Sequence, residues 1–369
     1  MIREEIDNII YLSGCVLKGE KADKDRISNM DLEALFNASK RHSMAAIVGK
    51  ALQDAGVQNK AFEQALAKSV RKNVLLKNEL KTITDSFEKN GIWYLPLKGS
   101  VMMDYYPSVE LREMADLDIL VDPSQTNRIK KIMNNLGFET ETFNLSAHDV
   151  YYKKPIYNIE IHRMLFSDRK DISAIYTYYE NPDRILKETD SQFRKRLSLE
   201  DYYIYMIAHT YKHYILHGAG IRSLMDIYVF LNNFEEKMNV LYISNELKML
   251  ELSKFEKQIR ELSLNLYNGN KLSGEEKEML DFIITFKGQG TWEHIYEKQL
   301  KRNEGNKISY VFKRVFVTGD TVKKYYPFFY RFPIFLPVLW IYRIFRAVFV
   351  RRERTKRELG FLFGDKKSK

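Results

Sequence analysis

The stretch that decides the fold is LPLKGS at residues 95–100, followed fifteen residues later by ADLDILVD at residues 115–122. An apolar run from Ile92 to Leu97 ends in a Gly-Ser pair, and Asp116 and Asp118 interrupt a second apolar run. Residues at positions i and i+2 of a strand point to the same face, so the two carboxylates should be neighbours. Two like charges side by side on an apolar strand indicate a cation that neutralises them.

The donor types indicate which cation and which ligand. Paired carboxylates supply only oxygen donors, which suit Mg²⁺, an ion that keeps several waters and is completed by substrate phosphates. Gly99 and Ser100 at a turn that opens a helix are suited to hold a phosphate, through backbone N–H groups and the serine hydroxyl. Lys98 either meets the phosphate as a point charge or is a solvated loop lysine, and both readings stay open. The pattern predicts a site for a metal-bound nucleoside triphosphate.

These residues resemble the signature of the polymerase-beta-type nucleotidyltransferase superfamily, in which a Gly-Ser pair precedes a D-x-D pair. Further residues extend the resemblance, namely LKGS, Tyr106-Pro107, Arg112, DLDILV and the later IEIH. Together they are similar to a subgroup described only as uncharacterised nucleotidyltransferases. The motif core covers about residues 90 to 165. The resemblance implies transfer of a nucleotidyl group from an NTP to a hydroxyl or similar acceptor, with Mg²⁺ (two ions) and release of pyrophosphate. The gap between Gly-Ser and the Asp pair is longer than usual in the superfamily, which leaves room for an inserted turn.

The resemblance also implies a third carboxylate on a neighbouring strand, and Glu160 is the candidate. The alternation in Ile159-Glu160-Ile161-His162 puts Glu160 and His162 on one face of a strand. Together with Asp116 and Asp118, Glu160 would bind the metal and accept the proton of the attacking group. The alternative is an exposed strand glutamate. His162 either positions substrate or is only a hydrogen-bonded neighbour of a carboxylate.

Two arginines have alternative partners. Arg112 would pair with Asp116 or clamp a phosphate, or else make a surface contact with Glu113. Arg222 and Asp226 are four residues apart on a predicted helix and are expected to form an ion pair, although Arg222 would also be able to face the cleft.

Three histidines, His209, His213 and His217, recur at helical spacing and therefore share one helix face. Two histidines at i and i+4 are able to bind zinc, but a site needs further ligands, and no H-E-x-x-H motif is present. We expect this helix to line the cleft, with Lys212 and His213 near the substrate or its phosphates. Simple packing is the alternative, and it is favoured for His217.

The pattern of periodicities predicts an α+β fold, in which a small mixed sheet is flanked by N- and C-terminal helical regions. Residues 1–90 are predicted to be helical, with Asp31 capping one helix, and residues 91–166 form the nucleotidyltransferase core. Within the core we predict a strand at 117–121 and a hairpin around Lys154-Pro155, formed by 151–153 and 156–162. Residues 167–325 are predicted to be a helical domain, and residues 326–369 an aromatic and basic tail.

Charge and cysteine content limit the classes of partner and compartment. The net charge is +10, but residues 340–369 carry ten Lys or Arg and three Asp or Glu, so the body is nearly neutral. A long nucleic acid is therefore an unlikely partner, and the acceptor is a small molecule, sugar, peptide or protein, or tRNA. The single Cys15 excludes an intramolecular disulfide and a cysteine-based metal site. With an acidic segment after Met1 in place of a secretory signal, we expect a cytoplasmic protein.

Two functional alternatives to catalysis remain open, and one of them concerns the tail. The longest charge-free run, 332–342, has eleven residues, whereas a membrane span needs about twenty. From Trp340 onward a helix would place apolar and arginine side chains on opposite faces, which suits contact with anionic lipid at the inner face of a membrane. Packing of the apolar face on the body and binding to nucleic acid are the other readings. If the tail is the functional part, the protein is a membrane-peripheral scaffold. If instead the core binds nucleotides but has lost catalysis, the protein is a non-catalytic nucleotide-binding module.

Overall fold

The computed structural model describes residues 2–217, 219–288, 306–319, 322, 326–345, 347 and 360. The chain divides into two compact units, residues 1–288 and residues 289–369. The five-stranded sheet and every residue of the candidate site lie in the first unit. The domain boundaries at 90, 166 and 325 that we inferred from the sequence stay predictions.

The sheet confirms the α+β class. Its strands lie in the order β1-β2-β5-β4-β3, and only the β2–β5 pair is parallel, so the sheet is mixed. The strands are β1 (Tyr94–Leu97), β2 (Leu117–Val121), β3 (Glu139–Thr142), β4 (His148–Lys153) and β5 (Tyr157–His162). All five residues of β2 are buried, as expected for a central strand with covered faces. The predicted strand at 117–121 is confirmed residue for residue.

Helices precede the sheet, as predicted. They are α1 (Ile2–Lys18), α2 (Lys24–Ser28), α3 (Leu32–His42), α4 (Ala45–Asp54) and α5 (Lys60–Lys89). Asp31 caps α3 by accepting hydrogen bonds from the amides of Glu33 and Ala34, which confirms its predicted role. Helix α5 packs its buried side chains Ile83 and Phe87 into a core cluster that they share with residues of the sheet.

The segment between β1 and β2 contains an inserted turn, for which the long gap in the sequence left room. A short helix, α6 (Gly99–Met102), is followed by 3₁₀ turns at Met103–Tyr105 and Val109–Leu111. Side chains of α5 hold this segment: Ser69 donates to the carbonyl of Glu110, and Asn73 donates to the carbonyls of Val109 and Arg112. The insertion is therefore fixed against α5 by hydrogen bonds to its backbone.

The second half of the sheet differs from the prediction at its edge. After α7 (Thr126–Asn135), the chain turns at Gly137, with φ +84°, into β3. The sequence of β3, ETET, has no apolar alternation because it is an edge strand whose side chains are exposed or half-buried, and we did not predict it. The hairpin β4–β5 is confirmed, but β4 begins at His148, three residues earlier than expected.

Helices also follow the sheet within the first unit. They are α8 (Ser173–Tyr179), α9 (Leu199–His217), α10 (Ile221–Phe234), α11 (Val240–Met249), α12 (Ser253–Asn268) and α13 (Gly274–Gly288). Between α8 and α9 the chain forms a two-stranded ribbon, β6 (Lys187–Glu188) and β7 (Lys195–Arg196). The large core cluster joins buried side chains of α1, α4, α9, α10 and α12 and extends to Leu97 and Leu120 of the sheet. This packing brings α9 and α10 against the end of the sheet that bears the carboxylates.

The second unit contains α14 (Lys307–Val315), α15 (Pro327–Arg331) and α16 (Leu336–Phe345). Its small core consists of Val317, Val322 and Leu339. No described helix is both long and apolar enough to span a bilayer. The predicted amphipathic helix from Trp340 onward lies largely outside the described residues.

Candidate active site

Two carboxylates lie side by side on the parallel strand pair at the centre of the sheet. Asp118 of β2 is in register with Glu160 of β5, and Asp116 immediately precedes β2. Asp118 is 4% exposed, whereas Asp116 and Glu160 are half-buried. All three line one pocket. The structure therefore brings the three predicted metal-binding carboxylates together, and their role as ligands stays a prediction.

The two aspartates differ in their pKa values. Burial raises the pKa of Asp116 to about 6, and the negative charges of Asp118 and Glu160 add to this effect. Burial acts in the same direction on Asp118, but Lys98 and His162 outweigh it and hold its pKa well below the usual range. Lys98 Nζ lies 2.5 Å from Asp118 Oδ1, and His162 Nε2 lies 2.8 Å from the same atom. Asp118 is therefore ionised, and Lys98 and His162 stabilise its negative charge. The negative charge of Asp116 is less well compensated by its surroundings.

The Gly-Ser turn directs Lys98 into the pocket. Lys98 has φ +51°, in the left-handed region that non-glycine residues rarely adopt, and its carbonyl accepts a hydrogen bond from the Tyr202 hydroxyl. The Ser100 hydroxyl donates to the carbonyl of Leu97, and Ser100 does not line the pocket. A phosphate contact by Ser100 stays a prediction, and it would require the hydroxyl to change its partner.

Gly99 lines the pocket and is in close contact with its walls. A Cβ atom at this position would lie 2.5 Å from Arg112 Nη1 and 2.6 Å from Met114 Sδ. Any larger residue here would therefore require the ends of these two buried side chains to shift. The proposed approach of a phosphate to the Gly99 amide is a separate prediction.

The structure adds His148, which the sequence reasoning missed. His148 of β4 is paired with His162 of β5, and its Nε2 atom lies 3.6 Å from Glu160 Oε2. Burial lowers the pKa of His148. The signal was in the hairpin, because continuing the pairing outward from Lys153 and Tyr157 places His148 opposite His162. We had begun the first strand at Tyr151 and so ended the pairing too early.

Cationic and imidazole side chains from the C-terminal helices complete the pocket. Helix α9 contributes Lys212, His209 and His213, and the Nε2 atoms of the two histidines are 3.1 Å apart. Burial, with the nearby Lys98, lowers the pKa of Lys212. Arg222 of α10 also lines the pocket and donates to the carbonyl of Glu113. Within the described residues neither Lys212 nor Arg222 forms an ion pair with a carboxylate. For His217 the structure does not describe the side chain.

The predicted Arg222–Asp226 ion pair is wrong, and Arg222 faces the pocket, which was the stated alternative. For Arg112, neither of the two carboxylate partners considered is the one observed. Asp226 binds Arg112, not Arg222: Arg112 donates through Nε and Nη2 to the two carboxylate oxygens, each at 2.8 Å. The Tyr106 hydroxyl donates to the same carboxylate at 2.7 Å. Arg112 is 7% exposed, so it forms no surface contact with Glu113, and Asp116 is not its partner. Arg112 and Asp226 are 114 residues apart in sequence, so no local sequence pattern predicted this bidentate pair of guanidinium and carboxylate. The NTP-binding role of Arg112 stays a prediction.

Together these side chains form a pocket of about 400 Å³. The carboxylates and His148 and His162 come from the sheet, and Lys212, His213 and Arg222 come from helices α9 and α10. Of the residues proposed from the sequence for the site, Ser100 alone does not line this pocket. Its volume is within the range of small-molecule sites, about 300–1,000 Å³.

One comparison with known proteins gives a match. A family model described as "Uncharacterised nucleotidyltransferase" matches residues 28–268, which is more than half of the chain and includes the sheet, the pocket and helices α9 and α10. No curated protein and no solved structure matches the chain.

Proposed function

This chain belongs to the uncharacterised nucleotidyltransferase family, and from that premise we propose that it transfers a nucleotidyl group from a Mg²⁺-bound NTP to an acceptor hydroxyl or similar group. Pyrophosphate is the second product. The observation that carries the proposal is the distribution of charge in one pocket. Three carboxylates converge at the sheet, while Lys212 and Arg222 on the helices line the same pocket and form no direct ion pair with a carboxylate of the described residues.

The residues present fit Mg²⁺. Asp116, Asp118 and Glu160 supply oxygen donors, and the pKa of Asp116 is raised because burial and the charges of Asp118 and Glu160 outweigh the effect of Lys98 and Arg222. A divalent ion at these oxygens would favour the ionised form of Asp116. When bound, Mg²⁺ neutralises charge on the triphosphate and acidifies the attacking hydroxyl. Two ions are proposed, because three carboxylates suffice for two sites that share ligands.

The unpaired cations fit the triphosphate. Lys212 and Arg222 are half-buried, and holding a cation away from water is costly without an anionic partner. Phosphate oxygens would supply that partner. Lys98 bonds to Asp118 in the structure, so it would meet a phosphate only by sharing its ammonium group between the two. We propose that Gly99, Ser100, Arg112, His162 and His213 complete the NTP site as the sequence predicted.

The reaction needs positioning and one proton transfer. The acceptor oxygen forms a bond to the α-phosphorus, and the bond from that phosphorus to the α–β bridging oxygen breaks, releasing pyrophosphate. Glu160, at the edge of the carboxylate group, accepts the acceptor's proton. Lys212 and Arg222 face the negative charge that develops on the leaving pyrophosphate.

The test is titration of ATP, GTP, CTP and UTP in the presence of Mg²⁺ against wild type and the double variant Asp116→Asn, Asp118→Asn. We expect Mg²⁺-dependent binding of at least one nucleotide, weakened about 100-fold or more in the double variant because the ligands lose their charge. Asp190→Asn, which removes an exposed carboxylate, is the matched control and should bind like wild type. Pyrophosphate release by the double variant at the wild-type rate would contradict the site assignment.

A non-catalytic nucleotide-binding module is the alternative reading of the same pocket. It predicts Mg²⁺-dependent binding with no pyrophosphate release in the presence of sugar, peptide, protein or tRNA acceptors. The nearly neutral body argues against a long nucleic acid as acceptor. Release with any one acceptor class would exclude the alternative and name the class.

A second candidate function concerns the C-terminal unit. Ten large apolar side chains between Phe328 and Phe345 are exposed, among them Ile334 at 82% and Ile341 at 68%. Exposed apolar patches of this density mark interaction surfaces. Residues 340–369 carry a charge of +7, which complements anionic lipid. We propose a peripheral contact with an anionic membrane, which would place a cytoplasmic protein at the inner face of that membrane.

A further inference from the structure

The carboxylate site contains imidazole nitrogens that a magnesium site does not need. His148, Glu160 and His162 each offer a ligand atom, and these three atoms lie within 4.8 Å of one another. All three residues line the active-site pocket. Mg²⁺ is a hard ion that prefers oxygen and retains water, whereas imidazole suits Zn²⁺ and other divalent transition metals.

The separations of the donors are those of neighbouring metal ligands. Glu160 Oε2 lies 3.6 Å from His148 Nε2 and 3.5 Å from His162 Nε2. Two ligands that are each about 2.1 Å from a Zn²⁺ ion at a tetrahedral angle lie roughly 3.4 Å apart. The two histidine–glutamate separations therefore need only small side-chain adjustments. Asp118 Oδ1, 2.8 Å from His162 Nε2, is close enough to supply a fourth donor.

The donors are held on rigid elements. His148 is paired directly with His162 across the β4–β5 ladder, and Glu160 is paired with Val150 two residues further along. Strand register thus fixes the three positions before any ion binds, which is the condition for a preorganised site. His162 is 5% exposed, and its Nε2 atom is directed at Asp118 Oδ1 and Glu160 Oε2, so this donor is held in place by its surroundings.

We propose that His148, Glu160 and His162 bind a divalent transition-metal ion of the Zn²⁺ or Mn²⁺ class, beside the Asp116–Asp118 pair. The site would then hold one imidazole-bound ion at Glu160 and receive Mg²⁺ with the nucleotide at the aspartates. The inference deepens the proposed function, since Glu160 belongs to both sites. Ion binding is measured without nucleotide, so the two proposals stand or fall separately.

The experiment is calorimetric titration of the full-length chain, freed of metal, with Zn²⁺ alone and with Mg²⁺ alone. We expect Zn²⁺ to bind more tightly than Mg²⁺, and His148→Ala to weaken Zn²⁺ binding about tenfold or more while leaving Mg²⁺ binding unchanged. The side chain of His148 is 32% exposed, so this variant should fold. His213→Ala is the matched control, because it removes the other close histidine pair, His209–His213.

A second measurement identifies the donor atoms. Electron spin-echo spectroscopy of the protein with bound Mn²⁺ should show coupling to ¹⁴N of imidazole in wild type and in His213→Ala, and weaker coupling in His148→Ala. The proposal is overturned if Zn²⁺ binds His148→Ala as tightly as wild type, if His213→Ala is the variant that loses it, or if Mn²⁺ shows no ¹⁴N coupling. Zn²⁺ binding without any nucleotide binding would support this inference and contradict the proposed function.

Discussion

Asp116, which we propose as a metal ligand, is at the residue scale a side chain that lowers the stability of the metal-free fold. Its pKa is about 6, so the folded protein binds this proton more tightly than the unfolded chain, where the ordinary value is 3.8. The stabilisation from this group is complete below its unfolded pKa and is lost as pH rises through about 6. At neutral pH the metal-free site therefore holds a carboxylate that opposes folding, because it is withdrawn from water and because Asp118 and Glu160 lie nearby.

This reasoning predicts that Asp116→Asn stabilises the metal-free protein at pH 7.5 and has less effect at pH 5. We expect its melting temperature to exceed that of wild type by a few degrees at pH 7.5, measured in chelator, since Asn carries no charge to be repelled. Asp190→Asn is the control and should show no such pH-dependent difference. An equal effect of Asp116→Asn at both pH values would contradict the raised pKa.

Gly99 is a residue whose role in packing is separable from its role in binding. Gly99→Ala should destabilise the fold by about 1–3 kcal/mol, because the added methyl group overlaps Arg112 and Met114, which are both buried. Denaturant unfolding measures the change. Gly274→Ala is the matched control: its methyl group would meet nothing within 4 Å, and stability should be unchanged or slightly higher. If Gly99→Ala were as stable as wild type, Arg112 and Met114 would have moved to accommodate the added methyl group at no cost in stability.

At the scale of elements, the Arg112–Asp226 pair joins the inserted turn to helix α10. Both side chains are buried, so removing one partner leaves an uncompensated charge. We expect Asp226→Asn to cost about 3–5 kcal/mol in a denaturant titration, whereas Tyr106→Phe, which removes a neutral donor, should cost about 1 kcal/mol. The double variant Arg112→Met, Asp226→Leu should recover much of the loss. Additive costs in this double-mutant cycle would contradict the pairing.

The same elements show which parts of the fold a sequence discloses. Strand β2 was predicted to the residue because five apolar or motif positions are contiguous and are buried on both faces. Strand β3 was missed because an edge strand with half of its side chains in solvent has no apolar pattern. The partner of Arg112 was missed for another reason: charge pairs far apart in sequence depend on the packing of α10 against the insertion, which periodicity does not encode.

For the candidate site, local motifs gave the carboxylates and the Lys98-Gly99-Ser100 turn, and the spacing of histidines on one helix gave Lys212 and His213. His148 became part of the site through strand pairing, and Arg222 through the direction of α10. Sequence reasoning therefore located the residues that a motif fixes. It located less well those that tertiary packing brings to the same pocket.

At the scale of the whole molecule, the distribution of charge and exposed apolar surface leads to a prediction about membranes. We expect the full chain to sediment with vesicles that contain anionic lipid and to be released by salt, because basic residues of 340–369 meet headgroups while apolar side chains enter the interface. Neutral vesicles should bind it weakly. The double variant Ile334→Asp, Ile341→Asp removes two of the most exposed apolar side chains of this unit and should reduce binding about tenfold or more.

The matched control is Val240→Asp, Leu241→Asp, which changes two apolar residues of α11 that are 70% and 72% exposed in the other unit. If the second unit is the membrane-binding element, this control retains wild-type binding. Equal losses in the two double variants would show that general surface hydrophobicity, and not the C-terminal unit, drives attraction to lipid. Binding to neutral and anionic vesicles with one affinity would contradict the role of the basic tail. Nucleotide binding by the Ile334, Ile341 variant at the wild-type level would show that any loss of vesicle binding belongs to the membrane contact alone.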